Sequence, residues 1–184
     1  MFQIRIRNNR LVGKDKAISD EYLSYVNDLL ASPVVQKMDT FTQHGTTTTL
    51  DHCLNVSFYN FLACKMLGLN ARAGARGGLL HDLFLYDWHE RPVGKGGLTH
   101  SIFHPRVALE NAKKHFELTK LEQEIILKHM FPYTLDGMPK SKEAFVISLI
   151  DKYCCLMETV DSRAGGYVKS FYGTVADIKE RISA

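Results

Sequence analysis

The sequence predicts an all-α fold, a bundle of about six to eight helices, with a short N-terminal strand or hairpin as its one departure. Three observations carry this. From residue 19 onward apolar residues recur at helical spacing. The periodic segments begin after Ser, Thr or Asp and stop at Gly or Pro. Histidines and aspartates then fall on one such segment after another, about one helix plus one connection apart.

At 184 residues, 45% hydrophobic and 23% charged, the composition is that of an ordinary soluble domain. We expect one domain over 1–184, with its functional core at about 44–160 and with 1–40 and 161–184 as packing extensions. The net charge is only +3, and Lys and Arg are scattered, so no nucleic-acid polymer is expected as a partner. No segment approaches the ~20 apolar residues of a membrane span, so no membrane partner is expected. The start "MFQIRIRNNRLVGKDK" lacks the apolar core and cleavage site of a secretory signal, which leaves a cytoplasmic address as the default. Cys53, Cys64, Cys154 and Cys155 sit in apolar helical contexts without paired spacing and read as small core residues.

Taken in order, "IRIRNNRLVG" alternates apolar and basic residues before a turn and reads as the strand or hairpin. "SDEYLSYVNDLLAS" opens on a Ser19 or Asp20 cap, places Tyr22, Val26 and Leu29 or Leu30 on one face and is followed by Pro33. In "TTTTLDHCLNVSFYNFLACKMLGLN" a run of caps precedes apolar positions 50, 54, 58, 61 and 62, and Gly68 is the stop. Residues 71–87 form a very apolar, central helix. "WHERPVGKGGLTHSIFHP" is the one long loop, a common seat of function. Further helices are expected at about 105–115, 119–130, 141–160 and 173–182.

Within this frame His52, the doublet His81-Asp82, His104, His129 and Asp151 each sit on a different predicted helix or helix end. Facing helices of a bundle build a core metal site in this way. Four imidazoles and two carboxylates without a thiolate suit two divalent cations, Fe, Mn or Mg foremost and Zn next. In a continuous helix His81 and Asp82 diverge by about 100°, so Asp82 is the natural bridge between two ions. His104, set by "HP" at a helix start, is preferred over His100 as the ligand from its loop.

The ordered pattern His52, His81-Asp82, His104, His129, Asp151 resembles the HD-domain superfamily of metal-dependent phosphohydrolases, over about 44–160. The doublet, His52 and Asp151 alone would imply one metal. With His104 and His129 the pattern is similar to the two-metal branch, which includes dinucleoside tetraphosphate hydrolases, cyclic-di-nucleotide phosphodiesterases and a few mixed-valent di-iron oxygenases. "LLHDLFLYDWH", "HPRVALENA", "ILKHMFP" and "LIDKY" also resemble HD proteins of unassigned substrate from bacteria of the Firmicutes type.

The resemblance implies hydrolysis of a phosphoester or phosphoanhydride in a nucleotide or other small phosphorylated metabolite, by a hydroxide generated on the ions. The alternatives are oxygenase chemistry by iron on the same ligands and a non-catalytic nucleotide-binding module. His81 and Asp82 stand at the catalytic centre, with Lys152, which follows Asp151, and Arg106, which opens the helix after His104, as cations for phosphate oxygens. His44, His89, His100, Arg76, Lys140 and Lys142 are the remaining substrate-binding candidates, whereas His115 reads as solvated. A homodimer is compatible with this reading.

Overall fold

A computed structural model of the chain describes residues 10–45, 47–90, 99–134 and 138–163, with side chains from Lys16 onward except at His44, Asp161 and Arg163. Its described residues form seven α-helices and a two-stranded hairpin, an all-α bundle. The expected strand at residues 4–9, the tip of the long loop at 91–98 and the helix at 173–182 lie outside the described residues.

Helix α1 spans Arg10–Leu30 and so begins well before the Ser19 or Asp20 expected to cap it. Lys16 and Ala17 are good helix formers and Ile18 packs against the core, so the helix continues through the cap residues. Tyr22, Val26, Leu29 and Leu30 are buried on its inner face as the periodicity requires. Residues 10–13, assigned above to the strand or hairpin, are helical.

After the short helix α2 (Pro33–Gln36) and a 3-10 turn at Lys37–Thr40, the chain makes the hairpin of β1 (Thr42–His44) and β2 (Thr47–Thr48). The threonines read as a run of helix caps therefore have two uses. Thr47 and Thr48 pair in the strand, which suits their β-branched side chains, and Thr48 alone caps α3 through Asp51 N (3.2 Å).

Helices α3 (Thr49–Met66) and α4 (Ala71–Leu80) form the centre of the bundle. Gly68 ends the α3 segment at φ 67°, a left-handed conformation. The glycines of "ARAGARGGLL" cost helix propensity but permit close approach. A Cβ at Gly78 would lie 2.8 Å from the Cα of Ser57 on α3.

α4 stops at Leu80, not at the expected residue 87. His81 is its C-cap, and Asp82, Leu83 and Phe84 leave the helix, with Leu85 at φ 60°. The apolar run misled because Leu83 and Phe84 are buried as a loop, held by Asn111 Nδ2 donating to the Leu83 carbonyl (2.9 Å).

Helix α5 (His100–His115) begins five residues earlier than expected and carries Pro105 within its first two turns. α6 (Lys120–Lys128) opens on a complete capping box between Thr119 and Glu122, and His129 is its C-cap. α7 (Lys142–Arg163) closes the described fold against α3 and α6. No described helix is long and apolar enough to cross a membrane.

Candidate metal centre

The structure brings His52, His81, Asp82, His104, His129 and Asp151 together, all buried, from five elements. His52 comes from the first turn of α3, His81 and Asp82 from the end of α4, His104 from α5, His129 from the end of α6 and Asp151 from mid-α7.

The four imidazoles are oriented alike. His81 Nδ1 donates to the Gly78 carbonyl (2.7 Å), His104 Nδ1 to the His100 carbonyl (2.9 Å) and His129 Nδ1 to the Ile126 carbonyl (2.8 Å). A carbonyl oxygen only accepts, so these Nδ1 atoms carry protons, and in the neutral rings the Nε2 lone pairs point inward. His52 Nδ1 is held the same way by Glu158 Oε2 (2.9 Å). The helix ends supply these carbonyls. His81 and His129 each turn back onto the carbonyl three residues earlier, and His104 onto the one four earlier.

Asp82 stands between two halves. Its Oδ2 lies 3.5 Å from His81 Nε2 and 3.9 Å from His52 Nε2. Asp151 Oδ1 completes that half at 3.1 Å from His52 Nε2 and 3.6 Å from His81 Nε2. Asp82 Oδ1 faces the other half, 3.2 Å from His104 Nε2 and 3.6 Å from His129 Nε2. The groups His52, His81, Asp82 and Asp82, His104, His129 each have their ligand atoms within 4.8 Å of one another.

These residues fit divalent cations. His81 Nε2 and Asp82 Oδ1 are buried without a hydrogen-bond partner, an arrangement that costs stability unless something else satisfies them. His104 and His129 present Nε2 to Nε2 at 2.9 Å, which is repulsive between two lone pairs unless a proton or a cation lies between them. Nitrogen and carboxylate donors in this mixture are those of borderline and hard ions.

The mutual field of these groups sets their protonation. Burial works against charge on His52, but Glu158 and Asp151 outweigh it and raise its pKa well above the usual imidazole value. Burial is likewise overcome at His81, chiefly by Asp82. Asp82 and Asp151 are held well below the carboxylate range: burial opposes their ionisation, but the facing histidines prevail. Burial and the neighbouring His81 and His104 push His129 down to about 3, so it is neutral.

A second layer holds these ligands. Glu158, two turns after Asp151 on α7, binds His52 and accepts from Asn55 Nδ2 (2.8 Å). Gln43 on β1 donates to Asp82 Oδ2 (2.8 Å), while its own oxygen accepts from Thr49 (3.2 Å). None of Gln43, Asn55 and Glu158 was singled out from the sequence. The spacing of 151 and 158, and of 52 and 55, carried a signal for two of them; Gln43 depends on the unexpected hairpin.

Cys155 approaches Asp151 Oδ1 at 3.7 Å and shares a potential ligand cluster with His52 and Asp151. Burial and Asp151 raise its pKa, so it is a protonated thiol there, and all four cysteines are free. Lys152 lies at the edge of the centre, its Nζ donating to the His129 carbonyl (3.0 Å) and 3.7 Å from Asp151 Oδ2.

Other expected residues fall elsewhere. Arg106 is exposed and lies about 200° around α5 from His104. It does not open that helix, because α5 starts at His100. Arg76 is buried in a structural pairing, with Nε 3.0 Å from Glu122 Oε1 and Nη1 bound to Asp28 (2.6 Å) and the Tyr25 carbonyl (2.9 Å). Lys140 and Lys142 line a separate surface cavity. His44 ends β1. His115 is exposed.

His100 and His89 belong to a ladder of rings behind the centre. His89 stacks on Trp88 (3.9 Å), Trp88 on His100 (5.3 Å) and His100 on His104 (4.5 Å). Burial and His104 lower the His100 pKa to about 4, and Tyr86 Oη bonds its Nδ1 at 2.9 Å.

The family model for the HD domain matches residues 49–155, from the start of α3 to the middle of α7. The match covers more than half of the chain and contains all six clustered residues, and the chain belongs to the HD-domain family. That family consists in general of metal-dependent hydrolases that bind divalent ions. Comparison with curated proteins and with solved structures gave no match.

Proposed function

We propose that this chain hydrolyses a phosphoester or phosphoanhydride bond in a nucleotide or another small phosphorylated metabolite, with two divalent cations, Fe, Mn or Mg foremost and Zn next. The observation that carries the reading is Asp82, whose two oxygens face two separate groups of imidazoles. When bound, such a pair of ions supplies Lewis acidity toward phosphoryl oxygens and makes a water acidic enough to attack near neutral pH.

His52, His81 and Asp151 would hold one ion and His104 and His129 the other, with Asp82 shared. The Nδ1 anchors keep each Nε2 aimed inward before any ion arrives, so little order is lost on binding. The Lys152 ammonium is 36% exposed beside the cluster and has protons to offer a phosphoryl or leaving oxygen. His104 owes its orientation to His100, through the backbone carbonyl and the stacked ring.

The test is a phosphate-release screen across nucleotides and sugar phosphates, with the full chain loaded in turn with Mn, Fe, Mg and Zn. Turnover that needs metal and is lost in Asp82→Ala is expected. Inactivity on every phosphoester, with two irons and a paramagnetic signal on partial reduction, would replace this reading with an oxygenase. Nucleotide binding without turnover would replace it with a regulatory module.

A further inference from the structure

Among the described side chains of α7 between Lys142 and Ser162, the exposed ones are all apolar: Phe145, Leu149, Tyr153, Leu156 and Val160, each 38–61% exposed. They recur at intervals of 4, 4, 3 and 4 residues, a single stripe about 22 Å long on the face opposite Asp151 and Glu158. The solvent face of a helix ordinarily carries charge, and a contiguous apolar face of this kind marks an interaction site.

The stripe has relief. At its N-terminal end Phe145 enters the lining of an open cavity of about 440 Å³, formed with Leu67, Leu69, Met138 and Val146 and flanked by Lys140 and Lys142. At its other end Leu156, 61% exposed, and Val160 stand as a ridge on the helix.

We propose that a second copy of this chain covers the stripe, two α7 helices packing antiparallel about a two-fold axis near Tyr153. A concavity and a ridge on one face, on either side of a central residue, are what an isologous interface requires. The Val160 end of each ridge enters the other copy's cavity, and each Leu156 packs against the opposite Leu149.

The area is adequate. Five stripe residues with Leu67 and Met138, about half exposed, offer roughly 700 Å² per copy, close to the ~800 Å² per side of a standard interface. Both metal centres keep their ligands on the inner face of α7, so association leaves them intact.

Sedimentation of the full chain over a range of concentrations tests this, alongside Leu149→Glu, Leu156→Glu and Tyr153→Cys. The wild type is expected at twice the chain mass. Each Glu variant is expected at the chain mass with its helical circular dichroism retained, and Tyr153→Cys forms an intermolecular disulfide on oxidation. A wild-type monomer at all concentrations would overturn the proposal and leave the stripe to residues 164–184 or to another partner. So would a dimer that persists in both Glu variants. If the Glu variants fail to fold, absence of cross-linking in Tyr153→Cys would be decisive against it.

Discussion

His104 and His129 meet Nε2 to Nε2 at 2.9 Å, each anchored behind by a backbone carbonyl, so neither ring can turn away from the other without losing a buried hydrogen bond. Residues from the second turn of one helix and the end of another are thus fixed in a contact that only a shared proton or a cation makes favourable. His129→Ala removes one side of it. We expect that variant to fold, to retain one metal ion of two by elemental analysis, and to lose at least ~10²-fold in phosphate-release turnover, since an ion contributes several kcal/mol to such a reaction. Full activity in His129→Ala would remove this residue from the centre.

Glu158 fixes the ring of His52 from behind, through Nδ1. Glu158→Gln is therefore expected to weaken metal binding by about 10–100-fold while leaving helicity unchanged. Competition against a chelator reads the affinity. Unaltered affinity would mean that His52 is oriented by packing alone.

Arg76 and Glu122 form a buried ion pair between α4 and α6. Arg76→Met leaves the Glu122 carboxylate without its main cation, a change that costs about 3–5 kcal/mol and lowers Tm by on the order of 10 °C. Thermal unfolding measures it. A variant of normal stability but raised KM for a phosphorylated substrate would return Arg76 to the binding site.

Gly78 precedes the doublet and touches α3. Gly78→Ala would place a Cβ 2.8 Å from the Cα of Ser57, and backbone cannot yield as a side chain can. We expect a loss of about 1–3 kcal/mol in urea unfolding together with reduced metal content, because His81 is anchored on the Gly78 carbonyl. Wild-type stability would show that the two helices have room to separate.

The side chains that cluster were more legible than the elements that carry them. His52, Asp82 and Asp151 stood out because a carboxylate or imidazole in an apolar helical segment demands a partner, and burial bears out that environment for each. Asp82 reaches both halves from a helix end, whereas the sequence suggested a continuous helix through residue 87. Apolar periodicity does not separate a buried loop such as Leu83–Phe84 from one more helical turn. The Gln43 contact was out of reach, since it rests on a hairpin of three residues against two whose register no local pattern specifies. Arg76 and Arg106 showed the limit of choosing cations by proximity in sequence: one is paired with Glu122 and the other sits on the far side of α5.

The central claim, a shared Asp82 between two ion positions, is tested most directly by the metal content per chain of the reconstituted protein, compared with His104→Ala and Asp82→Ala. The account predicts two equivalents in the wild type, one in His104→Ala and a loss from both positions in Asp82→Ala. A single equivalent in the wild type that His104→Ala leaves unchanged would contradict it.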